Sequence, residues 1–122
     1  ENIADITAVE IDQKAKDFYI TNMKGRKHNF FSQSLEQYII KNSETEIDTI
    51  IIDPPRVGLS KEVKDFLLKV NVKRVIYVSC DPVTMARDIH DLKSRFHLTK
   101  FKAYDFYPQT FHVESLGILN VN

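Results

Sequence analysis

The chain has a single cysteine, three glycines and no surplus of either charge, and each shortage narrows the reading. One cysteine cannot close an internal disulfide, which suits a reducing compartment and leads to the expectation of a cytoplasmic location. Seventeen Lys and Arg against seventeen Asp and Glu leave no net field to draw the chain onto nucleic acid or an anionic membrane. No apolar run reaches the length of a membrane span, and no signal-peptide pattern occurs. Internal repeats, low-complexity stretches and Pro/Gly-rich linkers are missing too. Four scattered histidines and the one cysteine give no zinc-ligand spacing, so no metal site is expected. What remains is 122 residues with 43% hydrophobic content, enough for one compact domain with a core over residues 1–122.

Hydrophobic period then organises the chain. Ile6 to Ile11 is a β-branched run that reads as a buried strand, and from Asp12 the pattern turns helical, with Ala15, Phe18 and Tyr19 on one face up to Lys24-Gly25. A short strand at residues 29–31 precedes Ser34-Leu35-Glu36-Gln37, a capping box opening a helix with Leu35, Tyr38 and Ile39 as its apolar stripe. Residues 47–52 are nearly all apolar, as in a strand covered on both faces. Two prolines in Asp53-Pro54-Pro55-Arg56 end it. Val63, Phe66, Leu67 and Val70 recur at helical spacing, residues 74–78 form a strand, and Met85, Ile89, Leu92 and Phe96 suggest another helix. Residues 98–106 and 112–121 read as two strands around Pro108, an antiparallel pair at one edge. Regular alternation gives an α/β class with a mostly parallel sheet.

In such sheets ligands bind beyond the carboxyl ends of the strands, which nominates Glu10, Asp53 and Cys80. Free cysteine is most often a small buried hydrophobe. Here Asp81 suits an N-cap and Pro82 the first helical position, so the thiol stands just ahead of a helix N-terminus, where partial positive charge favours a thiolate. The carboxylate of Asp81 opposes that effect. Asp53 can cap the next turn, or the rigid double proline can hold it and Arg56 against a polar group or a planar ring. Glu10 can accept from a ribose diol or simply be solvated. Strand alternation puts His112 and Glu114 on one face, and a carboxylate buried there needs a partner or a task, which makes Glu114 a candidate base.

Three stretches, Asp53-Pro54-Pro55-Arg56-Val57-Gly58-Leu59, Tyr77-Val78-Ser79-Cys80-Asp81-Pro82-Val83-Thr84-Met85-Ala86-Arg87-Asp88 and Asp105 to Glu114, together resemble the S-adenosylmethionine-dependent RNA uracil-5-methyltransferases. The resemblance runs in order from about Ile6 to the C-terminus. It implies a Rossmann-like methyltransferase sheet and S-adenosylmethionine as cofactor. Residue by residue, it implies that Cys80 is the nucleophile, Glu114 the base at uracil C5, and Glu10 the acid on the cofactor ribose. Asp53 falls at the cofactor and target base, with Pro54 and Arg56 beside the base, and Ser34 falls near the adenine. Asp81 departs from the family's Asn in its Ser-Cys-Asn-Pro motif. The family's first strand and Gly-rich loop have no counterpart, since Gly25, Gly58 and Gly117 lie elsewhere. The chain is accordingly expected to be the C-terminal part of a larger enzyme, inactive by itself, with tRNA or rRNA as the partner of the whole. Strands 6–11 and 47–52 are expected to pair directly or by strand exchange in a homodimer. The competing readings are a non-catalytic α/β module that keeps this fold, and an amino-group methyltransferase, a chemistry that uses no covalent thiol.

Overall fold

The order of the elements follows the hydrophobic pattern closely. The computed structural model describes residues 5–42, 46–110 and 112–122. The elements are β1 (Ile6–Val9), α1 (Ala15–Asn22), β2 (His28–Phe31), α2 (Leu35–Lys41), β3 (Ile47–Ile52), α3 (Lys61–Lys69), β4 (Val72–Ser79), α4 (Pro82–Asp91), β5 (Phe96–Tyr104) and β6 (Glu114–Val121). No helix among the described residues is long and apolar enough to cross a membrane. The chain divides into two compact units, residues 1–42 and 43–122.

In the first unit β1 and β2 pair in parallel, Ile6 opposite His28 and Val9 opposite Phe31. Tyr19 of α1 packs on them, its ring 5.2 Å from His28 and 5.1 Å from Phe30, while its hydroxyl donates to the Asn29 carbonyl. Ser34 caps α2 by accepting the Gln37 N–H at 3.2 Å, the first half of the capping box read from sequence.

The second unit is a four-stranded sheet ordered β3-β4-β6-β5. β3 and β4 run parallel, with Ile52 opposite Tyr77. β6 enters antiparallel between β4 and β5, pairing Ser79 with Ser115 on one side and Tyr104 with Glu114 on the other. One face of this sheet is sealed by α3 and α4: Val75, Tyr77, Leu67, Met85, Leu92 and Leu119 are all at most 1% exposed. At roughly 1.5–3 kcal/mol for each large apolar side chain taken out of water, this layer is the main stabilising term of the unit.

Three expectations are corrected. The direct pairing of strands 6–11 and 47–52 is not what the ladders show: residues 6–9 pair with β2 in one sheet, and residues 47–52 with β4 in the other. Phe96 does not continue the α4 stripe. The helix ends at Asp91 and Phe96 opens β5, buried at 2% exposure, so the spacing from Leu92 arises across a chain reversal. His112 precedes β6 rather than sharing its face with Glu114, because the ladder with β5 begins at Glu114.

Candidate active site

Strand direction gathers residues that are far apart in sequence. Parallel β3 and β4 both end at the same sheet edge, so Asp53 and Cys80 follow neighbouring strands there. Antiparallel β6 starts at that edge, which brings Glu114 to the same end: its neighbour Ser115 lies opposite Ser79, the residue before Cys80. Adjacent strands stand about 4.8 Å apart, so these segments lie within reach of one small ring.

The half-buried Cys80 sits in a tight turn that Ser79 closes around it. The buried Ser79 hydroxyl donates to the Asp81 carbonyl at 2.9 Å and accepts the Asp81 N–H at 3.0 Å. Asp81 then caps α4, Oδ1 accepting from Val83 N–H at 3.0 Å and Thr84 N–H at 3.1 Å, with Pro82 in the first turn. The Thr84 and Val83 N–H bonds, together with the positive charge of Arg56, hold the Asp81 carboxyl below the usual carboxylate range. The negative charge beside the thiol is therefore engaged with the helix end and with Arg56.

The Pro-rich loop is tied down at its far side. Gly58 N–H closes a turn on the Pro55 carbonyl at 2.8 Å, and Gly58 itself adopts a left-handed φ of 87°. Leu59 N–H donates to Asp88 Oδ2 at 2.8 Å, and Arg87 Nη2 donates to the Val57 carbonyl at 2.7 Å. Asp88 is fully buried and also accepts from Tyr77 Oη at 2.7 Å, Lys64 Nζ at 2.8 Å and Arg87 Nη2 at 3.0 Å. Burial alone would push its carboxyl up, but Lys64, the Leu59 N–H, Tyr77 and Arg87 together bring it below its ordinary value. Burial and the bond to Asp88 raise the Tyr77 phenol, keeping it protonated. At the near side, Arg56 Nη2 lies 3.4 Å from His112 Nδ1, which accepts when the ring carries its proton on Nε2. Arg56 thus joins its own loop to the approach to Glu114 through His112, and its charge is felt at Asp81 beside Cys80.

Beside the half-buried Glu114 is an open groove of about 430 Å³ lined by Val78, Tyr104, Phe106, Ser115 and Leu116. The Tyr104 and Phe106 rings stack within it, 5.6 Å apart and 3° from parallel. Sequence reading missed this aromatic wall and the Asp88 cluster. The only signal for the wall was the aromatic run around Asp105, and for Asp88 a carboxylate on the face of α4 turned toward the core. In the first unit Glu10 stands at the carboxyl end of β1, exposed, with Oε1 accepting the Asp12 N–H at 2.8 Å. An ionised carboxylate so placed keeps acceptor capacity for a diol. Ser34 accepts the Gln37 N–H in capping α2, and its hydroxyl retains a donor. No group of three or more metal-ligating side chains exists among the described residues.

The family described as tRNA (Uracil-5-)-methyltransferase matches residues 2–121. Among curated proteins, an uncharacterized RNA methyltransferase of Treponema denticola is 46% identical over 83 residues, 67% of this chain and 20% of that protein. Another from Fusobacterium nucleatum is 37% identical over 111 residues, 88% of this chain and 23% of that one. The chain therefore spans about a fifth of the length of these relatives. The Pyrococcus abyssi tRNA (uracil-54, C5)-methyltransferase, solved in complex with S-adenosyl-L-homocysteine, superimposes with a TM-score of 0.75 at 23% identity. That match covers 98% of this chain and 34% of the archaeal one, and it establishes a Rossmann-like methyltransferase fold. With the family match running almost end to end, the chain belongs to the tRNA (uracil-5-)-methyltransferase family.

Proposed function

We propose that this chain carries the thiol and base half of an RNA (uracil-5-)-methyltransferase acting on a uridine of tRNA or rRNA. The observation that carries the reading is the arrival of Cys80 and Glu114 at one sheet end on oppositely directed strands. Uracil C5 is too weak a nucleophile to accept a methyl group unaided. The Cys80 thiolate adds to C6, the C5–C6 double bond opens, and C5 gains enolate character. S-adenosylmethionine, when bound, supplies the methyl group as a sulfonium electrophile. Glu114 then takes the C5 proton, the double bond re-forms, and the C6–sulfur bond breaks to return the Cys80 thiolate. Asp53, Pro54 and Arg56 hold the base from the Pro-rich loop. The family resemblance supports Glu10 as the acceptor for the cofactor ribose and, each taken by itself, Asp53 and Ser34 as cofactor contacts.

The test is product analysis with the full-length protein, RNA transcripts and S-adenosylmethionine labelled in the methyl group. Labelled 5-methyluridine is expected after nuclease digestion, and Cys80→Ala is expected to abolish it. Label on an exocyclic amino nitrogen, or undiminished 5-methyluridine from Cys80→Ala, would overturn the reading.

A further inference from the structure

We propose that Asp88 is a positioning residue for this reaction: its buried carboxylate fastens the Asp53–Leu59 loop to α4 and so sets where Asp53 and Arg56 stand relative to Cys80. The role rests on the uracil-5 reading of the site. Cys80 and Asp88 belong to one rigid lever, the thiol at the entrance to α4 and the carboxylate about two turns along it. The loop is gripped at two points of that lever, the Leu59 N–H on Asp88 and the Val57 carbonyl on Arg87, which is itself paired with Asp88. Gly58, between the two grips, has no room for a side chain: a Cβ there would collide with Asp88 Oδ2, and would come within 2.6 Å of Arg87 Nη2 and of Thr84 Cγ2. The loop can therefore neither slide along α4 nor lift from it without breaking two charge-assisted bonds, the one to Asp88 buried and the one from Arg87 at the surface.

Neutralising Lys64 does not require this carboxylate. Asp91, also on α4, pairs with the same lysine at 2.7 Å and lies exposed, whereas the loop N–H of Leu59 goes to Asp88. What Asp88 adds is the seat for the backbone of the loop. Its two oxygens divide the work, Oδ2 taking the loop N–H and Tyr77, Oδ1 taking the two cations. A neutral amide in its place cannot serve both sets.

The experiment uses the full-length protein, S-adenosylmethionine and RNA carrying 5-fluorouracil. Fluorine at C5 cannot be removed as a proton, so the Cys80 adduct accumulates and can be timed. In Asp88→Asn the rate constant for adduct formation should fall on the order of 10²-fold, as small misplacements do, while the final fraction of protein in the adduct stays that of wild type. Gly58→Ala, which keeps the carboxylate and its cations, should slow the reaction in the same way. Asp91→Asn should react like wild type. Amide hydrogen exchange at Leu59, which needs no RNA, should accelerate in Asp88→Asn. A lowered final fraction with an unchanged rate constant, in either slow variant, would reduce Asp88 to a stabilising ion pair and overturn the proposal, as would unaltered exchange at Leu59. A wild-type protein that forms no adduct would overturn the uracil-5 reading itself, and the positioning role with it.

Discussion

Asp88 concentrates four partners on one carboxylate that water does not reach, and that makes it a carboxylate whose protonation should cost the fold heavily. Its folded pKa lies below the ordinary value of 3.8, because the bonds from Lys64, Leu59, Tyr77 and Arg87 outweigh the burial that would raise it. A carboxyl held low in the folded state contributes stability that is fully present above its unfolded value and is lost as pH falls through the folded one. The melting temperature should accordingly drop steeply below about pH 4, and Asp88→Asn, which has nothing to protonate there, should flatten that limb. Calorimetric scans across the acid range check this; an identical acid limb in the variant would contradict it. Ser79 acts on the same small scale. Its hydroxyl bonds both the N–H and the carbonyl of Asp81, so the order Ser-Cys-Asp spells out a closed turn with the thiol at its middle.

Among the elements, β6 carries the tightest constraint. A Cβ on Gly117 would strike Met85 Cε and come within 3.1 Å of Leu98, so the α4 layer sits directly on the strand backbone. Gly117→Ala should cost about 1–3 kcal/mol, the usual range for overpacking a filled core, readable as a lowered denaturant midpoint; an unchanged midpoint would mean that the Met85 side chain yields freely. How much of this was legible depended on which forces leave a mark in sequence. The bounds of residues 47–52 were legible from the isoleucine run, but its covering on both faces is corrected: Asp48, Thr49 and Ile51 are exposed, and only Ile52 is buried. The caps Ser34 and Asp81 were legible because one short polar side chain must satisfy helix N–H groups at a fixed offset. The start of β6 was not, since alternation marks faces but not where the ladder with β5 begins. Asp88 was missed because a carboxylate within a helix looks solvated until the loop, Tyr77 and Lys64 close over it. The Tyr104–Phe106 wall depends on a stacking geometry that aromatic content alone does not specify.

For the molecule as a whole, two units are built from one alternation of strand and helix, and the residues proposed for the chemistry divide between them. Glu10 and Ser34 belong to the first, whereas Asp53, Arg56, Cys80 and Glu114 belong to the second. A chain without net charge carries little of the sequence-independent attraction that counterion release gives to RNA binding. Its contribution is therefore expected in the reacting groups rather than in affinity. On the proposed reading that contribution is divided in time: Cys80 acts before methyl transfer and Glu114 after it. Replacing Glu114 by glutamine keeps the shape of the side chain and removes the proton acceptor, a loss that typically slows a step by about 10²–10⁴. The direct measurement is mass spectrometry of the full-length Glu114→Gln protein after reaction with uridine RNA and S-adenosylmethionine. The account predicts a stable protein–RNA adduct whose proteolytic fragment carries a methylated uracil on Cys80, and no such species when Cys80→Ala is added. Normal turnover by Glu114→Gln, or an adduct attached anywhere but Cys80, would contradict it.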